Sequence, residues 1–272
     1  MLEKVQRLLG LMKTRGQNYD DLFAASNLDE TVSWTRTHQL HGFNTSAIRL
    51  RIVCGIARAF GATHFIETGT YHAATAACAR QCLGLPVWSC EVSLPKYLVA
   101  RAVTIGLPDV KLWRADSRKF LAMAAEKLRS GTDVRPIFYL DAHDDGGPGS
   151  TRCPLLDELE LILSLKSFAI LIDDFAVPAG GFVFHRYGGM DLCLDSIRDP
   201  LAFAGVNRVF FPKYPASLET GHGRAGYTVF FRSAALEREF ETPGFPFNLL
   251  DACELSQTDG RTDASVAQYG TR

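Results

Sequence analysis

The sequence lacks the features that mark several specialised classes of protein. No apolar run reaches the ~20 residues that a membrane-spanning helix needs, and charged residues interrupt the apolar positions of residues 1–16, so we expect neither membrane insertion nor secretion. The seven cysteines are odd in number and form no CxxC pair, which predicts reduced thiols rather than a disulfide framework or a zinc site. The formal net charge is -1, so nothing favours nucleic acid as a partner. These absences predict a cytoplasmic protein that acts on small molecules.

A regular alternation of short apolar strands and amphipathic helices is the main pattern that the chain does contain. Helices are predicted at 46–60, 73–83, 94–105, 117–128, 154–165 and 192–201, and strands at 65–67, 87–91, 110–114, 137–141, 168–172, 208–211 and 226–231. Such alternation predicts right-handed βαβ crossovers and a parallel sheet with helices on both faces. We therefore predict a doubly wound, Rossmann-like α/β fold with a mostly parallel seven-stranded sheet and a C-terminal antiparallel hairpin.

Three regions of different character are predicted along the chain. Residues 1–45 look like a helical lid or dimerisation arm, with Val5, Leu8, Leu9 and Met12 on one helical face. Residues 46–240 form the core, and residues 241–272 form a polar tail that we expect to be partly disordered. The sequence leaves oligomeric state open.

Acidic residues follow several of the predicted strands. Glu67 precedes a turn at Gly69, Glu91 ends the next strand, and acids follow the strands at 137–141 and 168–172. Because the carboxyl ends of parallel strands meet at one edge of a sheet, these acids predict a shared ligand edge. The segment after Glu67 does not supply the GxGxxG spacing that a nicotinamide dinucleotide needs, although a glycine turn alone is as often structural as functional.

The order of these motifs resembles that of class I S-adenosylmethionine-dependent methyltransferases over residues 46–232. The resemblance implies cofactor binding by a set of residues at the ends of the first four strands: Glu67, Gly69 and Tyr71 around the methionine part, Glu91 at the ribose hydroxyls, Asp116 and Ser117 at the adenine ring, and Asp141 beside them. Ala73 departs from the family pattern, which has glycine there, and its methyl group narrows the room for the cofactor.

A second group of acids resembles the metal triad of catechol-type and macrocin-type O-methyltransferases. The resemblance implies that Asp141, Asp173 and Asp174 hold Mg²⁺ or Ca²⁺, for which carboxylate oxygens are suitable ligands. It also implies that His143 takes the proton of the acceptor, a role that an unperturbed pKa near ~6.5 suits. These acids can equally cap the helices that follow them.

The sequence therefore predicts an S-adenosylmethionine-dependent methyltransferase, acting on a hydroxyl group of a small or sugar-containing metabolite. Two alternatives stay open. One is a metal-dependent hydrolase centred on Asp141, Asp144, Asp173 and Asp174, and the other is a non-catalytic Rossmann-like binding protein. The glycine-rich segment 179–190 predicts a loop over the acceptor, in which His185 is a further candidate, as are His222 and Arg224 in the next glycine-rich loop.

Overall fold

The computed structural model describes residues 19–38, 40–143, 153–178, 181–187, 189–219 and 224–255. Two short helices, α1 (Asp20–Ala24) and α2 (Leu28–Thr37), pack against the longer helix α3 (Ala47–Phe60). Helix α3 begins where the Ser46 hydroxyl accepts a hydrogen bond from the Arg49 N–H, and it ends at Gly61 in the left-handed conformation. This agrees with the helix predicted at 46–60. The predicted apolar face at residues 5–12 lies outside the described residues.

Strands and helices then alternate, as the sequence predicts. They are β1 (His64–Thr68), α4 (Ala74–Leu83), β2 (Val87–Cys90), α5 (Leu94–Thr104), β3 (Val110–Trp113), α6 (Ser117–Arg129), β4 (Pro136–Leu140), α7 (Leu155–Leu163) and β5 (Phe168–Ile172). The chain continues through a two-stranded hairpin, β6 (Arg186–Tyr187) and β7 (Met190–Asp191), which the sequence does not predict. It ends with α8 (Leu194–Phe203), β8 (Arg208–Pro212), β9 (Thr228–Arg232), α9 (Ala234–Glu241) and β10 (Leu250–Glu254).

The main sheet has the strand order β3-β2-β1-β4-β5-β9-β8-β10. Strands β1 to β5 are parallel, whereas β9 runs antiparallel to β5 and to β8. The doubly wound fold and the C-terminal antiparallel pair are thereby confirmed. The predicted strand count is one too low, because β10 pairs with β8 inside the region assigned to the tail. Its sequence, LDACE, alternates weakly and leaves acids exposed at the sheet edge, so it carries no strong strand pattern.

Alternate residues of the central strands enter two separate apolar clusters on opposite faces of the sheet. Phe65 and Tyr139 pack with α3, whereas Ile66 and Phe138 pack with α6 and α7. Because side chains alternate along a strand, Glu67 lies on the α3 face and Thr68 on the opposite face. Among the described residues, no helix is long and apolar enough to cross a membrane.

Candidate functional site

The parallel strands end together at one edge of the sheet, where the chain passes from β1 to β2 on one side and from β4 to β5 on the other. Strands β1 and β4 are neighbours, and their following connections lead in opposite directions along the sheet. In open α/β sheets a crevice forms at such a point, outside the carboxyl ends of the strands, and ligands bind there. The residues that follow these strands therefore line the candidate site.

Gly69 forms the turn after β1, and its conformation has a structural cause. Its φ is +80°, and a Cβ atom built on it would lie 2.1 Å from the carbonyl oxygen of Asp141. The backbone N–H of Asp141 also donates a hydrogen bond of 3.1 Å to the Thr68 carbonyl. No other residue fits this close approach of the loops after β1 and β4. The predicted role of Gly69 in cofactor binding stays a prediction.

Glu67 is buried behind this turn. The Ser89 hydroxyl, on β2, donates a hydrogen bond of 2.5 Å to its Oε2, and the Thr70 hydroxyl lies 2.5 Å from the same Ser89 oxygen. Burial raises the pKa of Glu67 to about 8. Glu67 therefore belongs to a buried polar network that joins β1, β2 and the turn between them.

Glu91 connects the turns after β1 and β2. Its Oε2 accepts a hydrogen bond of 2.9 Å from the Tyr71 N–H, and its Oε1 accepts one of 2.8 Å from the Ser93 N–H. An ionised carboxylate offers about four acceptor positions, so two remain. The carboxylate of Glu91 is thus fixed in orientation by the backbone and keeps acceptor capacity for a ligand.

Tyr71 and Ala73 both have positive φ values, 50° and 61°. Tyr71 is 44% exposed, its ring stacks on that of His72, and the ammonium group of Lys96 is 5.1 Å from its ring centroid. Ala73 is fully buried and stands directly before α4. The left-handed conformation at Ala73 agrees with the glycine that the family pattern has at this position.

Asp116 caps helix α6, and Ser117 begins it. Asp116 accepts hydrogen bonds from the Arg118 N–H at 3.0 Å and from the Arg118 guanidinium at 2.8 and 2.9 Å. These contacts lower the pKa of Asp116. Ser117 is buried. The sequence did not single out Arg118, which engages much of the acceptor capacity of Asp116.

Asp173, at the end of β5, is bound by a buried cation that the sequence analysis missed. The guanidinium of Arg49, on α3, donates a short hydrogen bond to Asp173 Oδ1, and the same oxygen accepts one of 2.9 Å from the Asp174 N–H. Tyr139, on β4, donates its hydroxyl hydrogen to Asp173 Oδ2 at 2.5 Å. Arg49 also donates to the Ala225 carbonyl at 2.9 Å. Both side chains of the ion pair are buried, Arg49 completely.

This arrangement does not fit the predicted site for Mg²⁺ or Ca²⁺. Both oxygens of Asp173 already accept hydrogen bonds, and Arg49 supplies the compensating charge. In the part of the chain that the structure describes, no group of three or more His, Cys, Asp or Glu residues could hold a metal ion. Asp144, which the hydrolase alternative requires, lies outside the described residues, as does His222.

Asp141 and Asp174 lie beside this ion pair. Burial and the charges of Asp173 and Asp174 raise the pKa of Asp141 well above its ordinary range. Asp174 has a φ of +55°, and its pKa is also raised, first by burial and then by Asp173. The two carboxyl groups therefore ionise less readily than free ones.

His143 is also buried at this edge of the sheet. Its Nδ1 is 3.9 Å from the Cys153 sulfur, and its buried Nε2 has no hydrogen-bond partner among the described residues. Burial lowers the pKa of His143 to about 4, so its imidazole is neutral at physiological pH. This differs from the unperturbed value on which the sequence-based assignment of a base rested.

A hydrogen-bonded chain of three side chains lies above β5. Tyr187, on β6, donates its hydroxyl hydrogen to Asp174 Oδ2 at 2.8 Å, and the Tyr187 oxygen lies 2.8 Å from His185 Nδ1. The Tyr187 ring is 5.6 Å from that of His143. The structure thus brings His143, Asp174 and His185 to one region of the sheet edge.

The sequence analysis did not single out Arg49, Arg118 or Tyr139, and it placed Tyr187 only within the predicted loop over the acceptor. The sequence gives one indication that Arg49 is buried. It lies at helical spacing from Val53, Ile56 and Phe60, in the apolar stripe of α3. A charge in such a stripe indicates a buried partner. Its partner, however, is 124 positions away, and no local pattern identifies it.

Comparisons with known proteins give structural neighbours only. No protein-family model matches the chain, and no curated protein matches it in sequence. The O-methyltransferase from Bacillus cereus, solved with S-adenosylhomocysteine, is 15% identical with a TM-score of 0.45, covering 85% of this chain and 99% of that chain. TomG from Streptomyces achromogenes, an O-methyltransferase involved in tomaymycin synthesis and solved with S-adenosylmethionine, is 18% identical with a TM-score of 0.43, covering 78% and 95%.

A third neighbour is CalS10 from Micromonospora echinaspora, an amino pentose methyltransferase solved with S-adenosylmethionine. It is 13% identical with a TM-score of 0.43, and the match covers 77% of this chain and 100% of that chain. All three neighbours are methyltransferases by their descriptions. At these identities and TM-scores, the similarity does not assign an activity to this chain.

Proposed function

We propose that this protein is an S-adenosylmethionine-dependent methyltransferase that transfers a methyl group to a hydroxyl of a small or sugar-containing metabolite. The observation that carries the proposal is the carboxylate of Glu91. It stands at the end of β2, is oriented by two backbone N–H groups, and keeps acceptor positions for the two hydroxyls of a ribose.

The residues around Glu91 fit the rest of this cofactor. The turn of residues 68–73 approaches Glu91 through the Tyr71 N–H and precedes the N-terminus of α4. Asp116 and Ser117 lie at the end of the next strand of the sheet, where the adenine ring would be held. Glu67 and Gly69 form the buried base of the turn. When bound, the cofactor supplies an activated methyl group for transfer to a nucleophile.

The ends of β4 and β5 supply the acceptor side of the proposed site. Transfer needs the acceptor oxygen aligned with the methyl group, and it needs a group that takes the hydroxyl proton. The rings of His143 and His185 both lie near the Tyr187 ring, whose hydroxyl is bonded to Asp174. Their presence supports a hydroxyl as the acceptor, since this arrangement suits removal of a proton.

Calorimetry with S-adenosylhomocysteine tests the proposal first. We expect saturable binding to the wild-type protein and weaker binding to Glu91→Ala, with NAD as the control ligand for a nicotinamide-binding protein. Absence of binding to the wild-type protein would contradict the proposal. Incubation with labelled S-adenosylmethionine and a panel of hydroxylated metabolites then tests transfer. Cofactor binding without transfer to any acceptor would favour the non-catalytic alternative.

A further inference from the structure

Asp174, Tyr187 and His185 form a hydrogen-bonded relay, here called the Asp174 relay. The hydroxyl of Tyr187 donates its single hydrogen to Asp174 Oδ2, at 2.8 Å. The contact of 2.8 Å between the Tyr187 oxygen and His185 Nδ1 then requires the hydrogen to be on Nδ1. His185 is thereby held in the tautomer whose Nε2 carries a lone pair.

The backbone also fixes the relay. The Asp174 carbonyl accepts a hydrogen bond of 3.2 Å from the His185 N–H, and the Asp174 N–H donates to Asp173 Oδ1. Asp173 is itself bound to Arg49 in the core. These contacts hold Asp174 at its positive φ, a conformation that persists only where surrounding structure determines it. The relay is therefore anchored to the sheet through β5.

The two histidines of the acceptor side differ in their exposure to solvent. The side chain of His185 is 47% exposed, whereas His143 is 8% exposed and has Cys153 beside its Nδ1. An imidazole that takes a proton from a substrate must contact it and then release the proton to solvent. The exposed ring of His185 is accessible to a substrate and to solvent, whereas the ring of His143 is buried.

We propose that His185 is the catalytic base for the acceptor hydroxyl, that Tyr187 and Asp174 are its positioning residues, and that no divalent cation takes part. The inference rests on the proposed methyl transfer. His185 Nε2 takes the hydroxyl proton as the acceptor oxygen bonds to the methyl carbon, and the carbon–sulfur bond breaks with its electron pair left on the sulfur. The imidazolium then loses its proton to solvent. The guanidinium of Arg49 occupies the position beside Asp173 that a divalent metal ion would take.

The first test needs no acceptor. Nitrogen NMR of isotope-labelled histidine, with His185→Gln to assign the signal, reports which ring nitrogen carries the hydrogen. We expect Nδ1–H in the wild-type protein and a mixture of tautomers in Tyr187→Phe. A wild-type His185 with its hydrogen on Nε2 would overturn the proposal, whether or not an acceptor is known.

The second test measures turnover on an acceptor found by the panel. His185→Ala should lower kcat by about 10²- to 10⁴-fold, with partial recovery on adding imidazole. Tyr187→Phe should lower kcat roughly 10-fold with little change in KM, because only the orientation of the base is lost. His64→Gln, at the opposite end of β1, is the control. S-adenosylhomocysteine should bind all variants like the wild type, so that loss of the base is distinguished from loss of the cofactor site.

Three results of turnover measurements would overturn the proposal. Near-normal turnover by His185→Ala, or a large loss in His143→Gln alone, would assign the base elsewhere. Loss of turnover in EDTA with recovery on adding Mg²⁺ or Ca²⁺ would restore the metal to the mechanism. Failure of the wild-type protein to bind S-adenosylhomocysteine would instead contradict the proposed function, and the tautomer measurement would still decide the relay geometry.

Discussion

The ends of β1 and β2 and the ends of β4 and β5 use acidic side chains in different ways. On the cofactor side, Glu91 accepts hydrogen bonds from backbone N–H groups, and Glu67 accepts one from a serine hydroxyl. On the acceptor side, Asp173 is held by the guanidinium of Arg49 and the hydroxyl of Tyr139. The first side is built from nearby loops, whereas the second depends on a cation from another layer of the fold.

This difference has an energetic consequence. A carboxylate that accepts two backbone hydrogen bonds, as Glu91 does, still has acceptor positions that a ligand can use. A buried ion pair is neutral as a unit and leaves neither partner available, since removal of one charge exposes the other to a medium of low dielectric constant. Changes to the Arg49–Asp173 pair should therefore affect folding, and changes to Glu91 should affect binding.

The largest expected effect is that of Arg49→Met. It leaves Asp173 as an uncompensated buried charge, so we expect the free energy of unfolding to fall by about 3–5 kcal/mol. Urea denaturation measures this, and Arg58→Met, at an exposed position of the same helix, should change stability by no more than ~0.5 kcal/mol. Adding Asp173→Asn to Arg49→Met should recover part of the loss. If Arg49→Met unfolded at the same urea concentration as the wild type, the ion pair would not be needed for folding, and this difference between the two sides would be lost.

A second prediction concerns the pH dependence of stability through Glu67. Its pKa is raised to about 8, so the folded protein holds a proton that the unfolded chain releases above about pH 4.5. This contribution to stability is present at low pH and is lost as the pH rises towards 8. Glu67→Gln should remove this pH-dependent contribution. The free energy of unfolding of the variant, relative to that of the wild type, should therefore rise between about pH 5 and 8, by on the order of a few kcal/mol.

Urea denaturation at several pH values in this range tests the Glu67 prediction, with Glu126→Gln as the exposed control. A constant difference between Glu67→Gln and the wild-type protein would show that Glu67 is ionised throughout. A cation or solvent would then have to stabilise the ionised carboxylate, because the hydrogen bond from Ser89 alone does not explain its charge.

The fold and the positions of Glu67 and Glu91 at neighbouring strand ends could be predicted from sequence because their determinants are local. Helix α3 follows from its cap at Ser46 and its apolar stripe, and Glu91 follows from its place at a strand end. The ion pair on the acceptor side could not be predicted from sequence, because Arg49 and Asp173 are distant in the chain and only tertiary packing joins them. The sequence indicated acids at β5 but not the charge that binds them. Strand β10 was missed because pairing to β8, rather than its own pattern, makes it a strand.

Glu91→Ala is expected to have a smaller effect than the two core changes, and on binding rather than folding. Loss of hydrogen bonds to a charged group should weaken S-adenosylhomocysteine binding by about 1–3 kcal/mol. Glu91→Gln keeps the size of the side chain and one carbonyl acceptor, so its affinity should lie between those of Glu91→Ala and the wild type. Calorimetry measures both. Unchanged affinity in a folded Glu91→Ala protein would show that the ribose lies elsewhere.

The smallest expected effect is that of Ala73→Gly, which tests whether the turn before α4 is placed correctly. Alanine at a φ of 61° carries a strain of roughly 1–2 kcal/mol, which glycine relieves. The gain is opposed by greater freedom of the unfolded chain and by loss of a buried methyl group, so net stability should change by less than about 1 kcal/mol. Binding of S-adenosylhomocysteine should be equal or tighter. Ala79→Gly, at a buried alanine inside helix α4, lacks the strain and should lose about 1 kcal/mol or more. Equal losses in the two variants would show that Ala73 has ordinary helical geometry, and a large loss of affinity in folded Ala73→Gly would mean that this turn does not border the cofactor.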